Sequence, residues 1–211
     1  MKRLVGLLLI TAVTVVLPAL ALADDYHGGK FIEGTYAVTG TNSGLIAPFG
    51  FEVTQVPVNG VSFIVGPQVW EGTYTFHKNG TVDQDVISRS IDPPSPTLPY
   101  SGSSVHSTAK FNYTVTAGGK ITFTLVHGTF MNEFLTGPQA GSANYPDSKD
   151  SDPVHSWDGM ISPDGKIINM TWGAPLVLYL TDGQGNFPGP AFIATGSFTM
   201  FWLNDDHGAW K

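Results

Sequence analysis

No cysteine occurs anywhere in the 211-residue chain. This absence excludes disulfide bonds, thiol catalysis, cysteine-ligated zinc and a lipid anchor on an amino-terminal cysteine. A protein of this length without covalent crosslinks must be stabilised by its hydrophobic core.

Charge is also scarce. Only 13% of the residues are charged, and the formal net charge is −7. An acidic protein of this kind is a poor partner for nucleic acid and for anionic lipid. We therefore predict that it binds no nucleic acid.

Long apolar runs are absent except at the start of the chain. After two basic residues, no charge occurs from Leu4 to Ala23. This pattern predicts a signal peptide that is cleaved after Ala23. An uncleaved membrane anchor is the alternative, since about 20 apolar residues can span a bilayer. We expect a signal peptide at 1–23 and one domain at 24–211, which is secreted or periplasmic and has no membrane contact after cleavage.

The sequence also lacks any stretch with a sustained helical period. Short runs that alternate apolar and polar residues recur instead, separated by turn residues, and they predict an all-β fold. Three hairpins are expected, with turns at 78–80, 118–119 and 163–165, where glycine accepts the backbone conformation of a tight turn. A fourth pair of strands is expected in "PLVLYLTD" and "AFIATGSFTMFWLN".

About nine to eleven strands joined in this way favour a single antiparallel β-barrel, because closure removes the exposed sheet edges. A two-sheet β-sandwich is the alternative. The final strand, 191–203, is long enough to close against the first. The Pro- and Ser-rich segments 90–107 and 136–156 predict irregular connections between the hairpins.

The tetrapeptide Glu-Gly-Thr-Tyr occurs twice, at 33–36 and at 71–74. Strand alternation places the Gly and Tyr of each copy on the apolar face and the Glu and Thr on the opposite face. Tyr36 and Tyr74 therefore point either into a packed core or into a cavity, where their hydroxyl groups would contact a ligand.

The early "GTY" strand, followed by "GTYTFHKNGTV" with its Asn-Gly turn, resembles the small secreted β-barrels of bacteria of the calycin-like or allene oxide cyclase-like type. The resemblance covers residues 30–203 as a pattern of strands and does not extend to individual functional residues. It implies either a binder of small apolar molecules or a cyclase or isomerase.

We accordingly predict a barrel that binds a small, largely apolar ligand in its interior. One alternative is an enzyme of the cyclase or isomerase type that uses interior Tyr, His and Glu side chains. A second alternative is a structural or surface-interaction protein without a pocket. A core filled by aromatic side chains would count against both the ligand and the enzyme. The predicted lining residues are Tyr36, Trp70, Tyr74, Phe76, Phe123, Phe198 and Trp202.

His127 and Glu133 are the candidate catalytic residues. His127 continues the face of Phe123 and Leu125, so it would point inward at the barrel mouth, where a nearby carboxylate would make it a general base. A hydrogen-bonded structural histidine is the other interpretation. No nucleophile elbow, phosphate-binding loop or dinucleotide fingerprint is present, and no cofactor is predicted.

Acidic residues and histidines cluster at both ends of the mature chain. They would come together if the first and last strands pair, and would then offer ligands for a metal. Two frayed tails are the simpler interpretation, and we predict no metal. The segments 147–152 and 182–186 match calcium-binding loops only in part, since Phe187 stands where such a loop needs glycine. The residues at the two ends are Asp24, Asp25, His27, Asp205, Asp206 and His207.

Overall fold

The computed structural model describes residues 32–47, 63–92, 101–137, 139–149, 156–171, 176–181 and 191–203. The predicted signal peptide and the acidic residues at both ends lie outside these ranges. The described residues contain eleven β-strands: β1 (Gly34–Ala47), β2 (Phe63–Phe76), β3 (Thr81–Asp92), β4 (Ser101–Val115), β5 (Lys120–Leu125), β6 (Met131–Phe134), β7 (Ala143–Asp147), β8 (Ser156–Ile161), β9 (Ile167–Thr171), β10 (Leu176–Thr181) and β11 (Ala191–Trp202).

The strands form one closed antiparallel barrel with eight positions around its circumference. β1 to β4 and β11 each fill a whole position, and the other three positions each consist of two shorter strands: β5 with β6, β7 with β8, and β9 with β10. Each position is followed in the chain by its neighbour, so the barrel is an up-and-down meander. Pairing of β1 with β11, from Tyr36 opposite Trp202 to Ala47 opposite Ala191, closes it.

The divided positions share long neighbours. β4 pairs with β5 through residues 111–115 and with β6 through residues 105–108. β11 pairs with β9 through residues 197–201 and with β10 through residues 191–194. Between β5 and β6 the chain bulges, and the Val126 amide and the Thr129 hydroxyl both donate to the backbone oxygen of Lys110. Each long strand therefore holds two short strands in line.

Strand alternation separates an apolar inside from a polar outside. In β3, Val82 and Val86 are buried in the interior, while Asp83 and Asp85 point outward. β9 shows the same pattern, since Ile168 and Met170 are fully buried. The period of two that predicts strands from sequence thus also predicts which side chains fill the barrel.

The two ends of the barrel differ. At one, which we call the turn end, tight turns join β2 to β3, β4 to β5, and β8 to β9. Gly80, Gly119 and Gly165 lie in these turns with φ of 82°, 76° and 71°, which confirms the three predicted hairpins. At the opposite end, the loop end, β3 ends, β4 begins, and residues 135–142 connect β6 to β7.

The closed barrel rules out the β-sandwich, and the predicted closure of the last strand against the first is confirmed. Two other expectations were wrong. Residues 101–107 belong to β4 and residues 143–147 to β7, although both segments were expected to be irregular. Their polar composition is compatible with strands because each pairs on both sides within the barrel wall. The strand expected in "FGFEVTQV", residues 49–56, lies outside the described residues.

Candidate functional site

The aromatic residues predicted to line the interior do point inward. Six of them are buried, with exposures of 0–7%: Tyr36, Trp70, Tyr74, Phe76, Phe123 and Phe198. Trp202 is partly buried and packs against the same cluster at the turn end. The two Glu-Gly-Thr-Tyr copies lie side by side, with Tyr36 directly opposite Tyr74.

These rings pack against one another across the barrel axis. The Tyr74 ring lies 5.6 Å from Phe198 and 6.0 Å from Phe123, measured between centroids. Phe111 is 4.9 Å from Trp157, a pair that the sequence analysis did not single out. Spacings of this size are those of aromatic rings in contact. Side chains from opposite walls therefore fill the aromatic half of the barrel.

The tyrosine hydroxyl groups inside this cluster are engaged by the protein. Tyr36 donates to the backbone oxygen of Gly165 at 2.7 Å, and Tyr74 donates to the side-chain oxygen of Gln84 at 2.6 Å. Burial raises the pKa of Tyr74 well above its usual value, so this phenol stays protonated. These hydroxyl groups contribute to the packed core and are not free to orient a ligand.

The two candidate catalytic residues have different partners. His127 lies in the bulge after β5, half exposed, with Nδ1 2.8 Å from a carboxylate oxygen of Asp147. Glu133 lies on the outer wall, where its carboxylate is 3.9 Å from Nδ1 of His106. Asp147 could not be predicted as a partner because it is the last residue of β7, which lies in a segment expected to be irregular. The interior tyrosines and the His127–Glu133 pair do not assemble into one site.

Asp147 is a buried carboxylate with several hydrogen bonds. Besides His127, it accepts from the backbone amides of Gly128, at 3.0 Å, and Ser148, at 2.8 Å. Its side chain is only 8% exposed, against 48% for His127. The pair links the bulge after β5 to the end of β7, which makes it a clasp between two divided positions of the barrel.

One half of the outer wall, formed by β3, β4, β5 and β8, carries most of the described ion pairs. Arg89 pairs with Glu71 at 2.6 Å, and Lys120 pairs with Asp158 at 2.9 Å. The hydrogen bond from Thr122 lowers the pKa of Asp158, and Lys120 lowers it further. Exposed pairs of this kind add little stability, but they give this half a strongly hydrated surface.

The other half of the wall is nearly free of charge. β1, β9, β10 and β11 contain no charged residue, and β2 contains only Glu71. Outward side chains here are mainly hydroxyl groups, and we call this surface the hydroxyl face: Thr35, Thr39, Thr41 and Ser43 of β1, Thr73 and Thr75 of β2, Asn169 and Thr171 of β9, and Thr195, Ser197 and Thr199 of β11.

Large apolar side chains are exposed among these hydroxyl groups. Val69 is 52% exposed, Phe201 46% and Ile167 38%. Cross-strand pairing brings them together with the threonines, as in the row that joins Val69, Thr41 and Ser197. The hydroxyl face is thus an uncharged surface with exposed apolar groups, and the signal for it in the sequence is the lack of charged residues in β1, β9, β10 and β11.

No group of three or more histidine, aspartate or glutamate side chains in the described ranges is arranged to hold a metal ion. No helix within the described part of the chain is long and apolar enough to cross a membrane.

Comparison with known proteins shows a similarity of fold to a solved structure. No protein-family model matches the chain, and no curated protein is similar to it. The solved structure of Neisserial surface protein A (NspA) is similar with a TM-score of 0.50 and 8% identity, over 81% of this chain and 98% of that chain. Ail, the attachment invasion locus protein of Yersinia pestis, matches with a TM-score of 0.41 and 9% identity, over 82% of this chain and all of its own. Its complex with the heparin analogue sucrose octasulfate gives a TM-score of 0.40 and 8% identity over the same shares.

These findings correct the predicted family. NspA, the solved structure that matches with a TM-score of 0.50, is a surface protein with an eight-stranded barrel, not a calycin-like or allene oxide cyclase-like barrel. The function drawn from that resemblance, a barrel that binds a small apolar ligand, is wrong. The same finding contradicts the secreted or periplasmic location and the predicted lack of membrane contact. The chain is an all-β protein with a closed, eight-stranded antiparallel barrel, similar in fold to NspA.

Proposed function

We propose that this protein is a surface-interaction barrel that acts at the bacterial outer membrane and contacts other macromolecules through its outer wall. The observation that carries the proposal is the packed interior. Because aromatic rings from opposite walls touch across the axis, that half of the barrel offers no room for an apolar ligand. We therefore place the macromolecular contact on the outer wall.

The hydroxyl face is the part of the wall best suited to a macromolecular partner. The centres of protein–protein interfaces are depleted of charge and contain exposed aromatic and aliphatic groups. Phe201 and Val69 supply such groups, and the surrounding threonines and serines are easily desolvated compared with the charged half. A protein partner therefore fits this face better than the half that carries Lys110, Lys120 and Asp158.

The manner of membrane association differs from that of a lipid-spanning barrel. A barrel that spans lipid carries a continuous apolar band on its outside and a polar interior. The described wall has the opposite arrangement, with Met170 and Met200 buried inside and Asp83 and Thr199 outside. The proposal is accordingly a barrel held at the membrane surface, with its wall available to partners.

The absence of cysteine allows a direct test. Thr41→Cys on the hydroxyl face and Lys120→Cys on the charged half each create a single reactive site. In cells that carry the gene naturally, a membrane-impermeant maleimide should label Lys120→Cys on intact cells. Labelling that occurs only after lysis would contradict a surface role.

A photoreactive maleimide at the same two sites tests the face itself. Thr41→Cys should give a discrete crosslinked species on intact cells, and Lys120→Cys should not. Identical crosslinking from both sites would contradict the assignment of the contact to the hydroxyl face. Crosslinking from neither site would contradict the existence of a macromolecular partner.

A further inference from the structure

Toward the loop end, each of β1 to β4 places a polar side chain on the inward face, in contrast to the aromatic half of the interior. Cross-strand pairing places Asn42 opposite Gln68, Gln68 opposite Ser90, and Ser90 opposite Ser103. Each is on the inward face by strand alternation, since Gln68 is two residues from buried Trp70. We call these four residues the polar row; it crosses β1 to β4.

The wall beyond β4 continues this polar lining. The Ser107 hydroxyl donates to the side-chain oxygen of Asn132 at 2.6 Å, and the Asn132 amide donates to Asn144 at 3.0 Å. Ser107 is buried, and both asparagines are partly exposed. β4, β6 and β7 therefore present a hydrogen-bonded chain of neutral groups near the loop end.

Neutral side-chain amides inside a barrel need hydrogen-bond partners. An inward polar group costs free energy unless its hydrogen-bonding capacity is used. A side-chain amide offers two N–H donors and a carbonyl acceptor. Asn42 and Gln68 are partly exposed, and the structure describes no side-chain hydrogen bond from either amide to another described residue. The hydrogen-bonding capacity of these two amides is thus not used by the described residues of the barrel.

An aromatic pair lies directly beyond the polar row. Trp70 packs edge-on against Phe198, with 4.8 Å between ring centroids. Gly40 permits this contact, because a Cβ there would lie 2.7 Å from Nε1 of Trp70 and 2.6 Å from Cβ of Phe198. The polar lining therefore ends on an aromatic floor.

We infer that this polar end of the interior binds a neutral, polyhydroxylated ligand, that is, a saccharide. Each sugar hydroxyl both donates and accepts, as the amides and serines of the lining do. No lining residue named here carries a charge, so an anion or cation finds no counter-charge, and the amides disfavour an apolar molecule. The inference goes beyond the surface interaction proposed above, because the site is inside the wall.

The test uses three neutral probes: maltotriose, cellotriose and triacetylchitotriose. Saturation-transfer NMR and calorimetry on the full mature chain should show binding of at least one of them. Gln68→Leu on the polar row and Asn144→Leu on the opposite wall should each weaken that binding about tenfold or more, since each removes hydrogen bonds to the sugar. Thr41→Val, an outward neighbour of Asn42, should leave it unchanged.

Circular dichroism identifies any variant that fails to fold. If one leucine variant does not fold, the binding measured for the other leucine variant tests the inference. Absence of binding for all three probes, or equal binding by both leucine variants and the wild type, overturns the inference. Preference for an anionic sugar or for a neutral tripeptide also overturns it. These outcomes are independent of the labelling on intact cells, so the two proposals can fail separately.

Discussion

At the scale of single residues, Gly72 shows how closely β2 and β3 approach each other. A Cβ at this position would collide with the backbone oxygen of Asp85 and lie 2.6 Å from Cα of Val86, and φ is +154°. We expect Gly72→Ala to lower the free energy of unfolding by roughly 2–3 kcal/mol, because backbone rather than a flexible side chain must move. Urea denaturation followed by tryptophan fluorescence measures this.

The matched control is Gly102→Ala. There the nearest atom, the Ser90 backbone oxygen, would be 3.6 Å from the new Cβ. We expect a change within about 0.5 kcal/mol. Equal effects of the two substitutions would mean that the tight contact at Gly72 is relieved elsewhere in the sheet.

Tyr74 gives the barrel a specific dependence on alkaline pH. Burial raises its pKa in the folded protein, so its contribution to stability is complete below the unfolded pKa of about 10 and is lost as pH rises above that value. The free energy of unfolding should fall between pH 9.5 and 11.5, by up to about 1.4 kcal/mol per pH unit for this group. Tyr74→Phe should flatten that decline, while Tyr145→Phe, on the exposed outer side, should not. A decline of unchanged slope in Tyr74→Phe would assign the effect to other groups.

The side of the barrel wall on which each side chain lies was the feature that the sequence predicted best. Alternation around the two Glu-Gly-Thr-Tyr copies placed Tyr36 and Tyr74 on the apolar side, and both are buried. Alternation does not reveal whether an apolar face lines a cavity or fills it. That depends on how far opposite walls are apart, which no local pattern encodes.

At the scale of elements, the His127–Asp147 clasp joins the divided strands. Asp147→Ala would leave the backbone amides of Gly128 and Ser148 without their acceptor, at a cost of about 1–3 kcal/mol. Hydrogen exchange should become faster in β6 and β7, while β2 and β3 keep their protection. Asp83→Ala, which removes an exposed carboxylate of the outer wall, serves as the control. Uniform acceleration across all strands would show that the barrel opens only as a whole.

The divided positions were also where sequence patterns failed. β6 has four residues and β7 has five, including Pro146, so neither shows the alternation or composition that predicts a strand. They are stabilised by neighbours that do not adjoin them in the chain: β4 pairs with β6, and β10 pairs with β7. Strands expected separately in "VSFIVG" and "WEGTYTF" belong to the single strand β2, and the sheet accommodates a register shift opposite Asn42 and Gly44.

At the scale of the whole molecule, the eight positions create one continuous core, and Phe123 lies near its centre. Its ring is 5.7 Å from Phe76, 5.8 Å from Phe111 and 6.0 Å from Tyr74. This ring packs against side chains of two other strands, β2 and β4, so its removal should destabilise the whole barrel.

We therefore expect Phe123→Ala to lower the free energy of unfolding by about 3–5 kcal/mol, as for large aromatic truncations in packed cores. Phe201→Ala, on the hydroxyl face and 46% exposed, should cost less than about 1 kcal/mol. The truncated core should also take up benzene, detectable by NMR, which the wild type should exclude. Two results would show that the aromatic half is not filled: a loss in free energy of unfolding for Phe123→Ala no larger than that for Phe201→Ala, or equal benzene uptake by the wild type. Either result would remove the basis for placing the macromolecular contact on the outer wall.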